Sequence, residues 1–369
     1  MRNRIAIFVA VIQSILFFGH WFIYKTWIHF WGPFHGAAFT IVPAVLAVLS
    51  VSFISATLLA FRYYNPPVRV FYKIASVWLG ILNFCFVAAC SCWIAYLVVR
   101  LFHLRVGRPA IAVTFLALAL LASIYGIFNA ASIRVKRITV KLPGLPASWR
   151  GRVAALVTDA HLGHVRGLGF ISRVVSKLGK IGADIVFISG DLFDGTKADL
   201  NGLTAPWKHL SPRFGSYYVT GNHEEFTDRQ KYLDAVNRSD VRVLNNEKVN
   251  VDGLQIVGVH YRDSTDTRHF RTILESTGLD RSRASILLTH VPGELPVAEN
   301  EGISLQLSGH THGGQLFPFT WFTSRIFGKF TYGLQRFGNL MVYTSCGIGT
   351  WGPPMRVGTQ PEIVLILFE

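Results

Sequence analysis

Leu307-Ser308-Gly309-His310-Thr311-His312-Gly313-Gly314-Gln315 carries an apolar strand straight into two histidines separated by one residue. On an extended segment, side chains two positions apart leave the pleat on the same side, so both imidazoles face one centre. A lone His-x-His pair is as common in ordinary polar turns as in metal sites. Four earlier segments give this one its meaning. Val153 to Thr158 is followed by Asp159 and His161, and Ile185 to Ser189 by Gly190 and Asp191. Tyr217 to Thr220 leads into Gly221-Asn222-His223-Glu224, and Ile286 to Thr289 into His290. Open α/β sheets collect ligands in the crevice beyond the carboxyl ends of their strands, so five such blocks converge on one site.

The same runs set the fold class. Arg152 to Thr158, Ile185 to Ser189, Tyr217 to Thr220, Ile256 to Val259, Ile286 to Thr289 and Leu305 to Ser308 are short and apolar throughout, as strands buried on both faces are. Between them, Phe170 to Ile181 and Arg229 to Val236 have helical period. The pattern predicts a layered α/β domain.

Histidine, aspartate and asparagine offer nitrogen and oxygen ligands without sulfur, a set suited to Mn, Fe or Zn. A carboxylate shared between two ions would hold them about 3.5–4 Å apart, where they clamp a phosphoryl group and lower the pKa of a bridging water. No phosphate-cradling Gly-x-x-x-x-Gly-Lys motif and no serine nucleophile elbow is present.

The blocks Asp-x-His, Gly-Asp, Gly-Asn-His-Glu, His and Gly-His-x-His resemble those of the calcineurin-like metallophosphoesterases, over roughly 151–369. The resemblance implies a four-layer double β-sandwich flanked by helices and a cofactor of two divalent metal ions, Mn, Fe or Zn. It implies Asp159, His161, Asp191 and His312 around one ion, with Asp191 bridging, and Asn222, His290 and His310 completing the second site. His223 is by position the catalytic histidine, contacting the scissile phosphate and protonating the leaving oxygen. The residues themselves agree: an imidazole beside a ligating amide, with Glu224 as its acid neighbour, suits proton transfer near neutral pH, although a further ligand or a fold-stabilising histidine is the alternative.

A narrower resemblance runs through Tyr332-Gly333, Ser345-Cys346-Gly347-Ile348-Gly349-Thr350, Pro354-Met355-Arg356 and Pro361-Glu362-Ile363. These segments are similar to the membrane-associated bacterial phosphodiesterase branch, which includes UDP-2,3-diacylglucosamine pyrophosphatases. The implied activity is hydrolysis of a phosphodiester, pyrophosphate or phosphomonoester, with lipid-linked phosphate among the substrates. The reading from another class is a membrane receptor or scaffold that retains the fold without the chemistry.

Charge divides the chain. No Asp or Glu precedes Asp159, and the 15 Lys and Arg before it account for the whole net charge of +15. That basic region is hydrophobic and is expected to form an all-α transmembrane region, 1–132, with four helices at about 5–24, 37–61, 74–99 and 110–128. A basic linker, 133–150, and the metallophosphoesterase domain, 151–369, follow. Arg2, Arg4, Arg62, Arg69, Lys73, Arg134, Lys136, Arg137 and Lys141 fall on one side of the four spans; Lys25, Arg100, Arg105 and Arg108 fall on the other. The excess predicts a multi-pass protein of the cell membrane with its catalytic domain in the cytoplasm. The electrically balanced remainder has no basic cluster interleaved with aromatics, so nucleic acid is not expected as a partner. Cys85, Cys90, Cys92 and Cys346 form neither a disulfide framework nor a Cys-x-x-Cys site.

Some residues have two readings. His164 is read as a solvent-facing loop histidine, or as a substrate contact. His260, Asp263 and Asp266 are candidates to line the cleft. Leu316 to Phe322 with Ile326 and Phe327, beside Arg325 and Lys329, either complete a core or form an apolar rim for a lipid chain.

Overall fold

The computed structural model describes residues 2–369, and their side chains from residue 6 onward. By compactness the chain divides into two units, Met1–Phe128 with Gly352–Met355, and Asn129–Trp351 with Arg356–Glu369.

The first unit contains α1 (Arg2–Trp31), α2 (Ala38–Arg62), α3 (Pro66–Leu101) and all but the last turn of α4 (Arg108–Ala131), each long and apolar enough to cross a membrane. The helices outrun the expected spans, α3 most of all. Asn65 accepts a hydrogen bond from Val68 N–H at 3.0 Å and prolines occupy its first turn, so α3 begins eight residues before residue 74 and carries Arg69 and Lys73 within it. Helical hydrogen bonding does not stop where the apolar run stops. Large side chains such as Phe8, Ile15, Val48 and Leu121 point outward, whereas the small residues Ala56, Ala60 and Ala75 are buried, as is Gly80, which packs against Met355 and Pro353. Small residues let helix backbones approach, and a few polar bonds join them: Trp78 Nε1 donates to His20 Nε2 at 2.9 Å, and Trp93 Nε1 to Thr26 Oγ1 at 3.0 Å.

The second unit is a four-layer α/β/β/α sandwich. Its strands are β1 (Arg134–Val140), β2 (Val153–Val157), β3 (Ile185–Ser189), β4 (Ser216–Val219), β5 (Val241–Val243), β6 (Glu247–Val251), β7 (Leu254–Gly258), β8 (Ser285–Leu288), β9 (Leu305–Ser308), β10 (Gly333–Phe337), β11 (Leu340–Thr344) and β12 (Glu362–Phe368). One sheet has the order β1-β12-β2-β3-β4-β5, the other β10-β11-β9-β8-β7-β6. In the first, β2, β3, β4 and β5 run parallel; in the second, β7, β8, β9 and β11 do.

Alternation along each strand feeds two different cores, which is why the strands look apolar throughout. On β2, Ala154 and Leu156 face the other sheet while Ala155 and Val157 face the Leu168–Ile181 helix. On β8, Ile286 and Leu288 face the intersheet core and Leu287 faces the layer of the Thr267–Ser276 helix. Parallel strands of both sheets thereby end at one edge of the sandwich, where the five motif blocks begin.

The expected linker 133–150 is corrected. Arg134–Val140 is an edge strand, paired in parallel with β12 from Arg134 opposite Glu362 to Val140 opposite Phe368. Trp149 is fully buried, stacked near Phe214 at 4.8 Å and edge-on to Phe368 at 5.6 Å. Basic residues spaced along β1 hide its strand character, because only one face of an edge strand meets the core.

Candidate metal centre

The residues after β2, β3, β4, β8 and β9 meet at one buried point. His161 Nε2 and His312 Nε2 lie 3.0 Å apart with their rings stacked, and His312 Nε2 is 3.3 Å from Asp159 Oδ1. Asp191 Oδ2 lies between the two sides of the cluster, 3.8 Å from His161 Nε2 and 3.2 Å from His290 Nε2. His310 Nδ1 is 3.0 Å from Asn222 Oδ1. All eight residues expected at the site are therefore brought together. Donor atoms form groups able to hold a cation: Asp159, His161 and His312; Asp159, Asp191 and His290; and a third, His161, Asp194 and His223, with the atoms of each group within 4.8 Å of one another.

Holding these side chains inward costs backbone strain. Asp159, His161, Asp191, His310 and His312 all have positive φ, between 48° and 68°. Non-glycine residues in this left-handed region cost of order 1–3 kcal/mol each and persist only where the surroundings impose them. Gly190 has φ 80°, and a Cβ there would come within 2.8 Å of Gly221 Cα, so only glycine lets the β3 and β4 loops touch.

The electrostatics favour bound cations. Asp159 and Asp191 are buried, and burial pushes the Asp159 carboxyl up to about 6, with His290 opposing the rise and Asp191 adding to it. Burial also opposes ionisation of Asp191, but His290 and His223 overcome it and hold that carboxyl well below its ordinary value. Burial first, then His223 and His161 respectively, keeps His161 and His312 well below the ordinary imidazole value. Burial and then His290 draw His310 down to about 4. These rings are neutral and keep a lone pair. His290 Nδ1 donates to the Ser189 carbonyl at 2.9 Å, and its buried Nε2, aimed at both aspartates, makes no aligned hydrogen bond. Burial opposes protonation of His290, but Asp191 and then Asp159 raise it to about 10, so a cation at this position would take the place of that proton. In composition and arrangement these nitrogens and crowded carboxylates could hold cations.

Glu224 does not serve as the acid neighbour of His223. Its Oε2 accepts from Gly221 N at 2.7 Å and Asp191 N at 3.1 Å, and its Oε1 from Phe193 N at 2.9 Å, so it ties the two loops together. The partner of His223 is the Asp194 carbonyl, which accepts from Nδ1 at 2.9 Å and leaves Nε2 facing the centre, 3.9 Å from Asp191 Oδ2. His164 is buried against Thr196 rather than solvent-facing. His260 is also buried; it accepts from Thr220 N at 3.2 Å and pairs with Asn245 Oδ1, bracing the end of β4 instead of lining a cleft.

Sequence reasoning did not single out Asp194, Phe226 or Trp351, and it quoted Gln315 and Arg356 within motif segments without giving either a role. Fully buried, Arg356 donates to the carbonyls of Gly349, Cys346 and His312 and to Thr359 Oγ1, and its Nη2 lies 3.2 Å from His312 Nδ1. The segment 354–356 carried only a resemblance, and the role of Arg356 was hidden because its partners lie up to 44 residues away.

Comparison with known proteins agrees with this geometry. Residues 153–314 match the family described as calcineurin-like phosphoesterase. An uncharacterized metallophosphoesterase of Aquifex aeolicus is 30% identical over 257 residues, 68% of this chain and 98% of that protein. The chain belongs to the calcineurin-like metallophosphoesterase family. A transmembrane protein with metallophosphoesterase domain from Danio rerio is 33% identical over 279 residues, 69% of this chain and 62% of its own length. An uncharacterized metallophosphoesterase of Campylobacter jejuni is 32% identical over 236 residues, 63% of this chain and 62% of its own. The chain thus spans about three fifths of the length of these last two metallophosphoesterases.

Arg356→Met keeps most of the volume and removes the donors. With three buried carbonyls, those of His312, Cys346 and Gly349, losing a donor at about 1–3 kcal/mol each, stability is expected to fall by at least about 3 kcal/mol. An unchanged denaturation midpoint of the purified full-length protein would contradict this account of Arg356.

Proposed function

We propose that this protein is a membrane-anchored phosphoesterase that hydrolyses a phosphodiester, pyrophosphate or phosphomonoester at a centre of two divalent ions, Mn, Fe or Zn. The observation that carries the reading is the buried convergence of Asp159, His161, Asp191, Asn222, His290, His310 and His312 at the ends of parallel strands from both sheets. Bound there, the ions would supply Lewis-acid polarisation of phosphoryl oxygens and a water acidic enough to attack near neutral pH.

The chain's own residues supply the rest. Asp191 Oδ1 accepts from His223 N–H at 2.9 Å, which keeps Oδ2 turned into the centre. His223, fixed through Nδ1 to the Asp194 carbonyl, has Nε2 as the atom that delivers a proton to the leaving oxygen. A scaffold without chemistry has no need of five strained residues around one point, and this disfavours that alternative.

Lipid-linked phosphate is the substrate class we favour. On the Phe319–Phe327 helix no residue is buried, and Phe319, Trp321, Phe322 and Ile326 are exposed. No acidic residue lies between Glu301 and Glu362, whereas Arg325, Lys329 and Arg336 do. This helix joins the centre through Phe327, whose ring is 6.1 Å from that of His310, and the turn that follows it, Gly328–Thr331, does so through the Thr331 carbonyl, which accepts from Thr311 Oγ1. An exposed apolar surface with basic flanks suits an anionic lipid.

Asp191→Asn and His310→Ala are expected to lose bound metal and nearly all activity on a chromogenic phosphodiester with added Mn. His223→Ala is expected to keep its metal and to lose about 10²–10⁴-fold in rate. Wild-type metal content and turnover in the first two variants would overturn the ligand assignment, and a metal-free His223→Ala protein would make His223 a ligand.

With Trp321 and Phe322 both changed to Ser, hydrolysis of lipid phosphate in vesicles is expected to fall several-fold more than hydrolysis of a small soluble diester. Equal losses on both substrates count against a lipid rim.

The basic excess on the side shared by both termini supports a cytoplasmic catalytic domain. Alkaline phosphatase fused after Glu369 is accordingly expected to be inactive and a fluorescent cytoplasmic reporter to be bright; the opposite pattern reverses the orientation.

A further inference from the structure

Two aromatic rings flank His223 and remain open to solvent. Phe226, 53% exposed, has its ring centroid 4.5 Å from that of His223, and Trp351, 60% exposed, has its centroid 6.1 Å away and nearly perpendicular. Large apolar side chains exposed singly need no explanation, but two converging on one buried histidine do.

Both rings are held in place. A Cβ on Gly195 would press on Phe226 Cδ2 and on the His223 carbonyl, so Phe226 sits against bare backbone there. The main chain of Trp351 is fixed by a reciprocal pair of hydrogen bonds: Gln315 Nε2 donates to its carbonyl at 2.9 Å, and its backbone N–H donates to Gln315 Oε1 at 2.9 Å. Gln315 closes the Gly-His-Thr-His-Gly-Gly-Gln block, so the segment that brings His310 and His312 to the centre also places this ring.

We propose that Phe226 and Trp351 form the subsite for the leaving group, and that the group it accepts is apolar: an alkyl, prenyl or aryl alcohol. The inference rests on the reading of His223 as the proton donor to the leaving oxygen. A group protonated by Nε2 must lie beside that ring; its buried neighbours there are His161, 4.6 Å away by centroid, and Asp191, and the exposed surfaces beside it are those of Phe226 and Trp351. Neither ring offers an ionised partner and the pair offers a single N–H donor, on the Trp351 indole, so what the subsite presents is chiefly apolar surface.

The test compares phenyl phosphate with 4-butylphenyl phosphate, each as the monoester and as the methyl diester, on the full-length protein in detergent with Mn. The two phenols are electronically matched and differ in apolar area alone. Each fully buried methylene is worth roughly fourfold, and half-open rings return part of that, so wild type is expected to prefer the butyl compound by about tenfold in kcat/KM. Phe226→Ala and Trp351→Ala are expected to bring the preference below about threefold, and Gln315→Ala to weaken it by releasing Trp351. Turnover of both compounds without a preference in wild type, or an undiminished preference in both ring variants, would overturn the subsite while leaving the phosphoesterase reading intact. Calorimetric binding of the matching phosphonates separates the two claims. A butyl preference in binding that is lost in the ring variants, with no turnover of any ester, would keep the apolar subsite and remove the phosphoesterase reading.

Discussion

Asp159 and Asp191 are buried side by side, and among the described residues no lysine or arginine forms an ion pair with either. Removing a carboxylate from water costs several kcal/mol even after relaxation, and a second one nearby raises the cost. Only His290 and His223, both raised by the aspartates against the effect of burial, offset this with positive charge; burial keeps His161, His310 and His312 below the ordinary imidazole value. The rest of the second unit serves this constraint. Two sheets place their parallel strand ends at one edge, left-handed turns aim the side chains inward, and glycines let the loops close over them. Glu224 spends its two oxygens on three backbone N–H groups of those loops.

Strain and burial share a direction here. Five residues around the centre adopt conformations that folding alone does not favour, and the apolar cores on both sides of each sheet hold them there. Interiors packed at crystal-like density resist small displacements, which keeps the donor positions fixed before any ion arrives. Arg356 adds a brace on the outer side of His312, gathering the 346–359 loop around one guanidinium.

The strands that carry ligands were legible because burial on both faces makes them uniformly apolar and a motif follows each one. Edge strands were not. Arg134–Val140 turns one face outward and read as part of a basic linker, Gly333–Phe337 likewise turns one face outward and was not read as a strand, and Val241–Val243 is too short for any period to show. In the centre, the His310 and His312 pair was legible as a motif but not through the extended geometry expected of it: the strand ends at Ser308, both residues have left-handed φ, and their rings meet Asn222 and His161 respectively. Residues whose role depends on a distant partner were not legible: Arg356 on His312, Asp194 on His223 and Gln315 on Trp351 acquire their meaning only when the loops meet. Glu224 was misread for a related reason, since its neighbour in sequence is not its partner in space.

The central claim is that the strained, buried cluster is a two-ion centre. Crystals of the full-length protein grown with Mn, with anomalous diffraction recorded at a wavelength where Mn scatters, test it most directly. Two anomalous peaks are predicted, one bounded by Asp159, His161 and His312 and one by Asn222, His290 and His310, with Asp191 reaching both. A single peak, or peaks elsewhere with this cluster empty, would contradict it.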